Sequence, residues 1–256
     1  MNRIDQLFQS KKQNILSVYF TAGYPKLNDT EKIIVELEKA GADLIEIGMP
    51  FSDPIADGPV IQESSEIALK NGMTLKLLFE QLKNIRQKVN IPLILMGYIN
   101  PVMRYGIEKF CKDAAEIGID GCILPDLPLE IYLDEYQEIF NKYKIHNIPL
   151  IPPQASDERI KKIDNATTGF IYLVSSASTT GTKSAQGDVL EQFTNRIKKL
   201  GLKNKQLIGF GINDKATFNK VCQYANGGII GTAFIKTLSK PGELSENIHQ
   251  FINSIR

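Results

Sequence analysis

Eight short apolar runs, each separated from the next by a longer segment of helical periodicity, most narrowly limit the folds open to this chain. The runs occupy residues 15–20, 44–48, 92–98, 121–124, 147–151, 169–174, 206–210 and 228–230. They are rich in Ile, Leu and Val without strict alternation, as strands buried on both faces are. Amphipathic segments lie between them at 30–40, 75–89, 107–117, 129–143, 158–163, 190–200 and 214–224. Gly41, Gly118 and Gly201, in AGAD, IGID and LGLK, stand where a helix ends in a left-handed residue before the next strand. Eight strand–helix units with right-handed crossovers predict a (β/α)8 TIM barrel, and residues 3–9 predict an extra N-terminal helix over its floor. An open doubly wound sheet is the competing arrangement, but no GxGxxG opens the first unit and no GxxxxGK[ST] occurs.

Size and charge narrow the function. The 256 residues, 43% of them hydrophobic, suffice for one large core, and residues 1–256 are read as a single barrel domain. A formal net charge of +1 provides no overall field to hold nucleic acid or an anionic membrane, so selectivity must come from a local site. Cys111, Cys122 and Cys222 are scattered and form no CxxC pair, a pattern of reduced thiols rather than a disulfide framework or a zinc site. The first residues lack the apolar run of a signal peptide, and no segment approaches the roughly 20 apolar residues of a membrane span. The expectation is a cytoplasmic protein.

In a barrel of this kind the chemistry sits at the C-terminal ends of the strands and on the loops that follow. Glu46 lies within the apolar run LIEIG, where its side chain is expected to point into the barrel. Desolvation there raises a carboxyl pKa and lets the group donate as well as accept a proton near neutrality. The alternative is a buried glutamate paired with an arginine or lysine. Asp53 and Asp57 follow on SDPIADGP. Asp53 reads as turn chemistry, whereas Asp57 is open between an acid/base group and a cap for a helix starting at Gly58 and Pro59.

On the other side of the barrel, GFGI at 209–212 and GGIIGTAF at 227–234 leave the amides of Gly211, Gly231, Thr232 and Ala233 free to bind a phosphate without any lysine. Residues 175–188 have the small, polar composition of a mobile lid over a site, the alternative being a disordered surface loop. Phe20, Tyr98, Tyr172 and Phe210 all fall at strand ends, where they either line an apolar pocket or pack the core. Neither His146 nor His249 has a second ligand at coordinating spacing, so no metal is expected, and no lysine sits clearly inside a strand as a Schiff-base nucleophile would. The residues alone thus point to carboxylate acid/base chemistry on a phosphorylated, partly apolar substrate.

Six motifs then carry a family resemblance across nearly the whole chain: YFTAGYP from Tyr19, EIGMPFSDPIADGPVIQ from Glu46, LMGYINPV from Leu95, YLVSSASTTG from Tyr172, IGFGI from Ile208 and GGIIGTAF from Gly227. In this order the chain resembles the α subunits of tryptophan synthase. The resemblance implies retro-aldol cleavage of indole-3-glycerol phosphate to indole and glyceraldehyde 3-phosphate, without metal or organic cofactor. It places Glu46 and Asp57 at the two catalytic positions and has Tyr172 orient Glu46. It assigns Phe20, Tyr98 and Phe210 to an indole pocket, and Thr180 and Gly181 to a closing loop on which Thr180 orients Asp57. Gly181, Gly211, Gly231 and Thr232 surround the phosphate.

It further implies a β-subunit partner that carries pyridoxal phosphate, an αββα heterotetramer, and docking through the loop at 50–59. Ser176, Ser178, Thr179 and Thr232 depart from the pattern of the best-known members, with Ser176 in place of an arginine. Competing readings are a lyase acting alone, a regulatory subunit that only activates its partner, and another phosphate-binding barrel of the same pathway. The last of these usually needs a strand-end lysine.

Overall fold

The computed structural model describes residues 1–174, 183–209 and 211–256, with the backbone alone for 183–189. All strand pairings are parallel. The strands are β1 (Ile15–Thr21), β2 (Leu44–Gly48), β3 (Leu93–Met96), β4 (Gly121–Ile123), β5 (His146–Asn147), β6 (Leu150–Ile151), β7 (Phe170–Val174), β8 (Lys205–Gly209) and β9 (Gly227–Ile230). Their order in the sheet is β5-β4-β3-β2-β1-β9-β8-β7-β6. The two edges are successive pieces of one predicted strand, interrupted at Ile148 and Pro149 because proline has no N–H to donate to the ladder. The ladder nevertheless bridges the gap: Ile148 donates to the Cys122 carbonyl at 2.9 Å and Tyr172 to the Pro149 carbonyl at 3.0 Å. With the two pieces counted as one strand, the sheet closes as an eight-stranded TIM barrel.

Alternation along the strands sorts side chains into two cores. Ile15, Leu44, Ile94, Ile123, Ile148, Phe170, Leu207 and Ile229, one from each barrel strand, fill the lower interior. The helix Arg3–Ser10 closes this layer from below with Ile4 and Phe8, whose ring lies 5.7 Å from that of Phe170. Asn2 caps that helix by accepting from the Ile4 N–H. The larger core lies between the sheet and the surrounding helices and contains the outward-facing Val18, Ile45, Ile47, Leu93 and Leu95.

Several elements differ from the sequence reading for identifiable reasons. The segment 75–89 is helical over Leu75–Leu82 and then tightens into a 3₁₀ turn, Ile85–Gln87. The segment 129–143 is helical but carries a π turn at Tyr132–Tyr136. The long helix Lys183–Leu200 begins inside the stretch predicted as a lid, so residues 183–188 are not loop, and Gly187 is tolerated within it at a cost of about 1 kcal/mol. The helix Pro59–Lys70 has little apolar periodicity because Ser64 and Ser65 are buried on its inner face, with the Ser64 hydroxyl 2.6 Å from that of Thr21. The predicted left-handed ends are present, with φ of +100° at Gly41, +83° at Gly118 and +62° at Gly201. Among the described residues, no helix is long and apolar enough to cross a membrane.

Candidate active site

The alternation of β2 decides where Glu46 points. Leu44, Glu46 and Gly48 face inward, while Ile45 and Ile47 pack against the helices. Glu46 has no exposed surface, and its Oε1 accepts a 2.7 Å hydrogen bond from the Ser17 hydroxyl. Its Oε2 is buried without a partner, and among the described residues no basic group pairs with the carboxyl. Burial pushes the Glu46 carboxyl up to about 8, against the smaller opposing effect of the Ser17 hydrogen bond. The group is therefore largely protonated at neutrality and still within reach of ionisation.

Asp57 is half-buried on the loop after β2. The Tyr98 hydroxyl donates to its Oδ2 at 3.1 Å and accepts from the Ala56 N–H at 3.0 Å, which ties the loop backbone and the carboxylate to one side chain. Burial raises the Asp57 carboxyl above its usual range and the Tyr98 hydrogen bond partly offsets it. The helix that follows has Gly58 as its N-cap and no side-chain capping bond, so Asp57 does not cap it. Asp53 is exposed and accepts from its neighbour Ser52 at 2.5 Å, an arrangement internal to the loop.

Two expectations need correction. Phe20 does not line a pocket: it alternates outward from β1 into the core beneath the helices. Its neighbour Tyr19 faces inward, paired in register with Glu46. Tyr172 also faces inward, but among the described residues its hydroxyl makes no hydrogen bond to Glu46, whose one partner is Ser17. Tyr172 instead lies across Gly209, where an added methyl would overlap its hydroxyl, and Tyr19 lies across Gly48 in the same way. Burial holds the Tyr172 phenol well above its usual range, reinforced by the nearby Glu46, Asp57 and Tyr19.

Above these tyrosines opens a cavity of about 630 Å³. Its lining includes Tyr19, Asp57, Met96, Leu150 and Tyr172 together with Gly209, Gly211, Gly231, Thr232, Ala233 and Lys236. A narrow cleft bounded by Phe51, Asp57, Met96 and Tyr98 continues from it, with the Phe51 and Tyr98 rings 5.2 Å apart. The structure thus gathers Asp57, Tyr172, Gly211, Gly231 and Thr232 around one space, with Tyr98 beside it and Glu46 beneath it. Thr180, Gly181 and Phe210, and the departing positions Ser176, Ser178 and Thr179, lie outside the described residues.

Tyr19 and Lys236 are among the lining residues that sequence reasoning missed. Lys236 was legible in principle, since it follows Thr232 by four residues on the helix Thr232–Leu238 and so shares its face. No group of three His, Cys, Asp or Glu side chains able to hold a metal occurs among the described residues.

A family model described as tryptophan synthase alpha chain matches residues 5–255. The tryptophan synthase alpha chain of Flavobacterium johnsoniae is 60% identical over 256 residues, covering 100% of both chains. Among solved structures, tryptophan synthase subunit alpha from Legionella pneumophila str. Paris superposes with a TM-score of 0.90 at 33% identity, covering 100% of this chain and 97% of that one. A chain of tryptophan synthase from M. tuberculosis, in its aminoacrylate-bound form, superposes with a TM-score of 0.86 at 26% identity, covering 100% and 98%.

Proposed function

Since the chain belongs to the tryptophan synthase alpha chain family, we propose that its cavity is the lyase site of that family and that Glu46 and Asp57 carry the reaction. The reaction is cleavage of indole-3-glycerol phosphate to indole and glyceraldehyde 3-phosphate, a step of tryptophan biosynthesis. One observation supports the assignment above the others. Among the described residues, a fully buried carboxyl without a basic partner stands in register with Tyr19, which lines the cavity together with a second raised carboxyl.

The cleavage requires a proton on the indole C3, so that the ring can take up the electron pair of the breaking carbon–carbon bond. Glu46, protonated in its desolvated setting, donates that proton. As the bond breaks, the ionised Glu46 accepts the proton of the glycerol hydroxyl whose carbon becomes the aldehyde, and so returns to its starting form. Asp57 accepts a hydrogen bond from the indole N–H as positive charge develops there. The aromatic and apolar lining from Tyr19, Met96 and Tyr172 suits the indole ring, and Tyr98 holds Asp57 toward it. The phosphate lies against Gly211, Gly231 and Thr232, with Lys236 supplying positive charge. By the family resemblance we assign Thr180, Gly181 and Phe210 to the same substrate.

This chain needs no cofactor of its own. The family partners a β subunit, and we assign to this chain an αββα assembly in which pyridoxal phosphate belongs to the partner. The exposed Ile55 and the loop around it serve as a docking element. The whole chain acts as one domain, in the cytoplasm.

The direct test mixes the purified chain with indole-3-glycerol phosphate and follows indole release, alone and with a β subunit, while sedimentation reports the stoichiometry. Indole release by the chain alone, increased by the partner, is expected. Absence of indole under both conditions would reject the lyase assignment in favour of a purely regulatory subunit.

A further inference from the structure

Below the cavity, one hydroxyl stands out in an otherwise hydrocarbon layer. Ser17 faces inward from β1 in register with Leu44, one inward position below Glu46, which pairs with Tyr19. Ser17 is fully buried, and the side chains around this level are Ile4, Ile15, Leu44 and Ile94. A polar group placed there costs free energy unless it is paired, and alanine or valine would fill the position without that cost. The partner is Glu46: the hydroxyl donates to Oε1 at 2.7 Å, across 29 residues of sequence. The bond draws the carboxyl toward the lower half of the barrel. Glu46 accordingly does not line the cavity, although Tyr19 and Tyr172 beside it do. Among the described residues its second oxygen, Oε2, has no partner.

We propose that Ser17 is the positioning residue of Glu46: it holds Oε1 from below and thereby leaves Oε2 as the oxygen that carries the proton to the substrate and takes one back. The inference rests on Glu46 being the acid of the proposed reaction. A hydroxyl donated to Oε1 leaves the acidic proton on Oε2, which fixes both the plane of the carboxyl and the face that delivers the proton. Among the described residues the titratable groups that face Glu46 are Tyr19 on β1 and Tyr172 on β7, both of which also feel Asp57, and none is basic. Ile94, its register partner on β3, is apolar. Among the described residues Ser17 is therefore the contact that favours the ionised form, and its hydrogen bond opposes the upward shift that burial imposes on Glu46.

The experiment compares the full-length chain with Ser17→Ala, Ser17→Thr and Glu46→Gln, measuring kcat and KM for indole-3-glycerol phosphate over roughly pH 6 to 10. Isotope-edited infrared spectra of the carboxyl report its protonation directly. Ser17→Ala should lower kcat about 10- to 100-fold with KM within about twofold, and should move the Glu46 ionisation and the basic limb of the profile to higher pH. Ser17→Thr, which keeps the hydroxyl, should restore both.

A kcat for Ser17→Ala within twofold of wild type, with an unmoved limb, would make Ser17 mere packing. A uniform loss of kcat that threonine does not rescue, again with an unmoved limb, would do the same. If the alanine variant does not fold, Ser17→Cys takes its place, and its weak donor should give the same upward movement. Full turnover by Glu46→Gln would instead overturn the underlying assignment of the acid, independently of Ser17.

Discussion

Glu46 and Asp57 are both carboxyls raised by burial, yet their surroundings prepare them for opposite tasks. Glu46, bound among the described residues by the Ser17 hydroxyl, stays largely protonated near neutrality, which suits the donor role proposed for it. Asp57, partly open and bound to Tyr98, remains an acceptor. Replacement of Glu46 by Gln should abolish indole release while substrate binding, followed by fluorescence or calorimetry, stays within a few-fold of wild type. The same variant carries a stability signature. A carboxyl whose folded pKa is about 8, against 4.5 when free, favours the folded state most below 4.5 and loses that contribution as pH rises toward 8. Glu46→Gln should therefore be no more stable than wild type near pH 4, gain progressively up to pH 8 and hold a constant advantage above it, as thermal unfolding at several pH values would record. A pH-independent difference would contradict the buried, shifted carboxyl. Tyr98→Phe removes the hydroxyl that favours ionised Asp57 and anchors the Ala56 N–H, so kcat/KM should fall about tenfold and the acidic limb of the profile should move upward. A profile that falls in height without moving would limit Tyr98 to packing.

At the scale of elements, the strand ends make room for the site by ending in glycine. Gly48 closes β2 beneath the ring of Tyr19, and Gly209 closes β8 beneath the ring of Tyr172. Neither has positive φ, so the requirement is the close approach of a side chain rather than a left-handed backbone. Gly209→Ala should leave far-ultraviolet circular dichroism unchanged but displace Tyr172 into the cavity and raise KM for indole-3-glycerol phosphate at least about tenfold, given the 1–3 kcal/mol typical of overpacking. An unchanged KM would show that the ring yields without narrowing the site. Most strands were legible because a strand covered on both faces is a continuous apolar run bounded by turn residues. The helix Pro59–Lys70 was legible only as a start at Gly58 and Pro59, because it meets the barrel through the buried Ser64 and Ser65, of which Ser64 hydrogen-bonds to Thr21 and to the helix's own backbone.

Across the whole molecule, the end of the barrel opposite the cavity is joined by Asp120. It accepts from Arg86 at 2.6 Å, from Arg3 of the N-terminal helix at 3.1 Å and from the Leu93 N–H at 3.0 Å. Burial holds the Arg86 guanidinium down to about 10, with Asp120 opposing that effect. Asp120→Ala leaves this partly buried cation without its carboxylate and should cost about 3 kcal/mol, the lower end for a broken buried pair, read as a lowered urea midpoint at unchanged slope. A loss below about 1 kcal/mol would show that the carbonyls Arg86 also contacts suffice. Sequence by itself determined the succession of strands and helices, the barrel that follows from it, and the two carboxylates at the end of the second unit. Each of these rests on periodicity and neighbouring residues. Only the tertiary structure decided that Tyr19 rather than Phe20 faces the cavity, that Ser17 rather than Tyr172 holds Glu46, and that Tyr98 rather than a helix terminus engages Asp57. The bonds from Ser17 and Tyr98 span 29 and 41 residues. Their existence depends on strand register, on which face each residue takes when the barrel closes, and on loop geometry, none of which local pattern encodes.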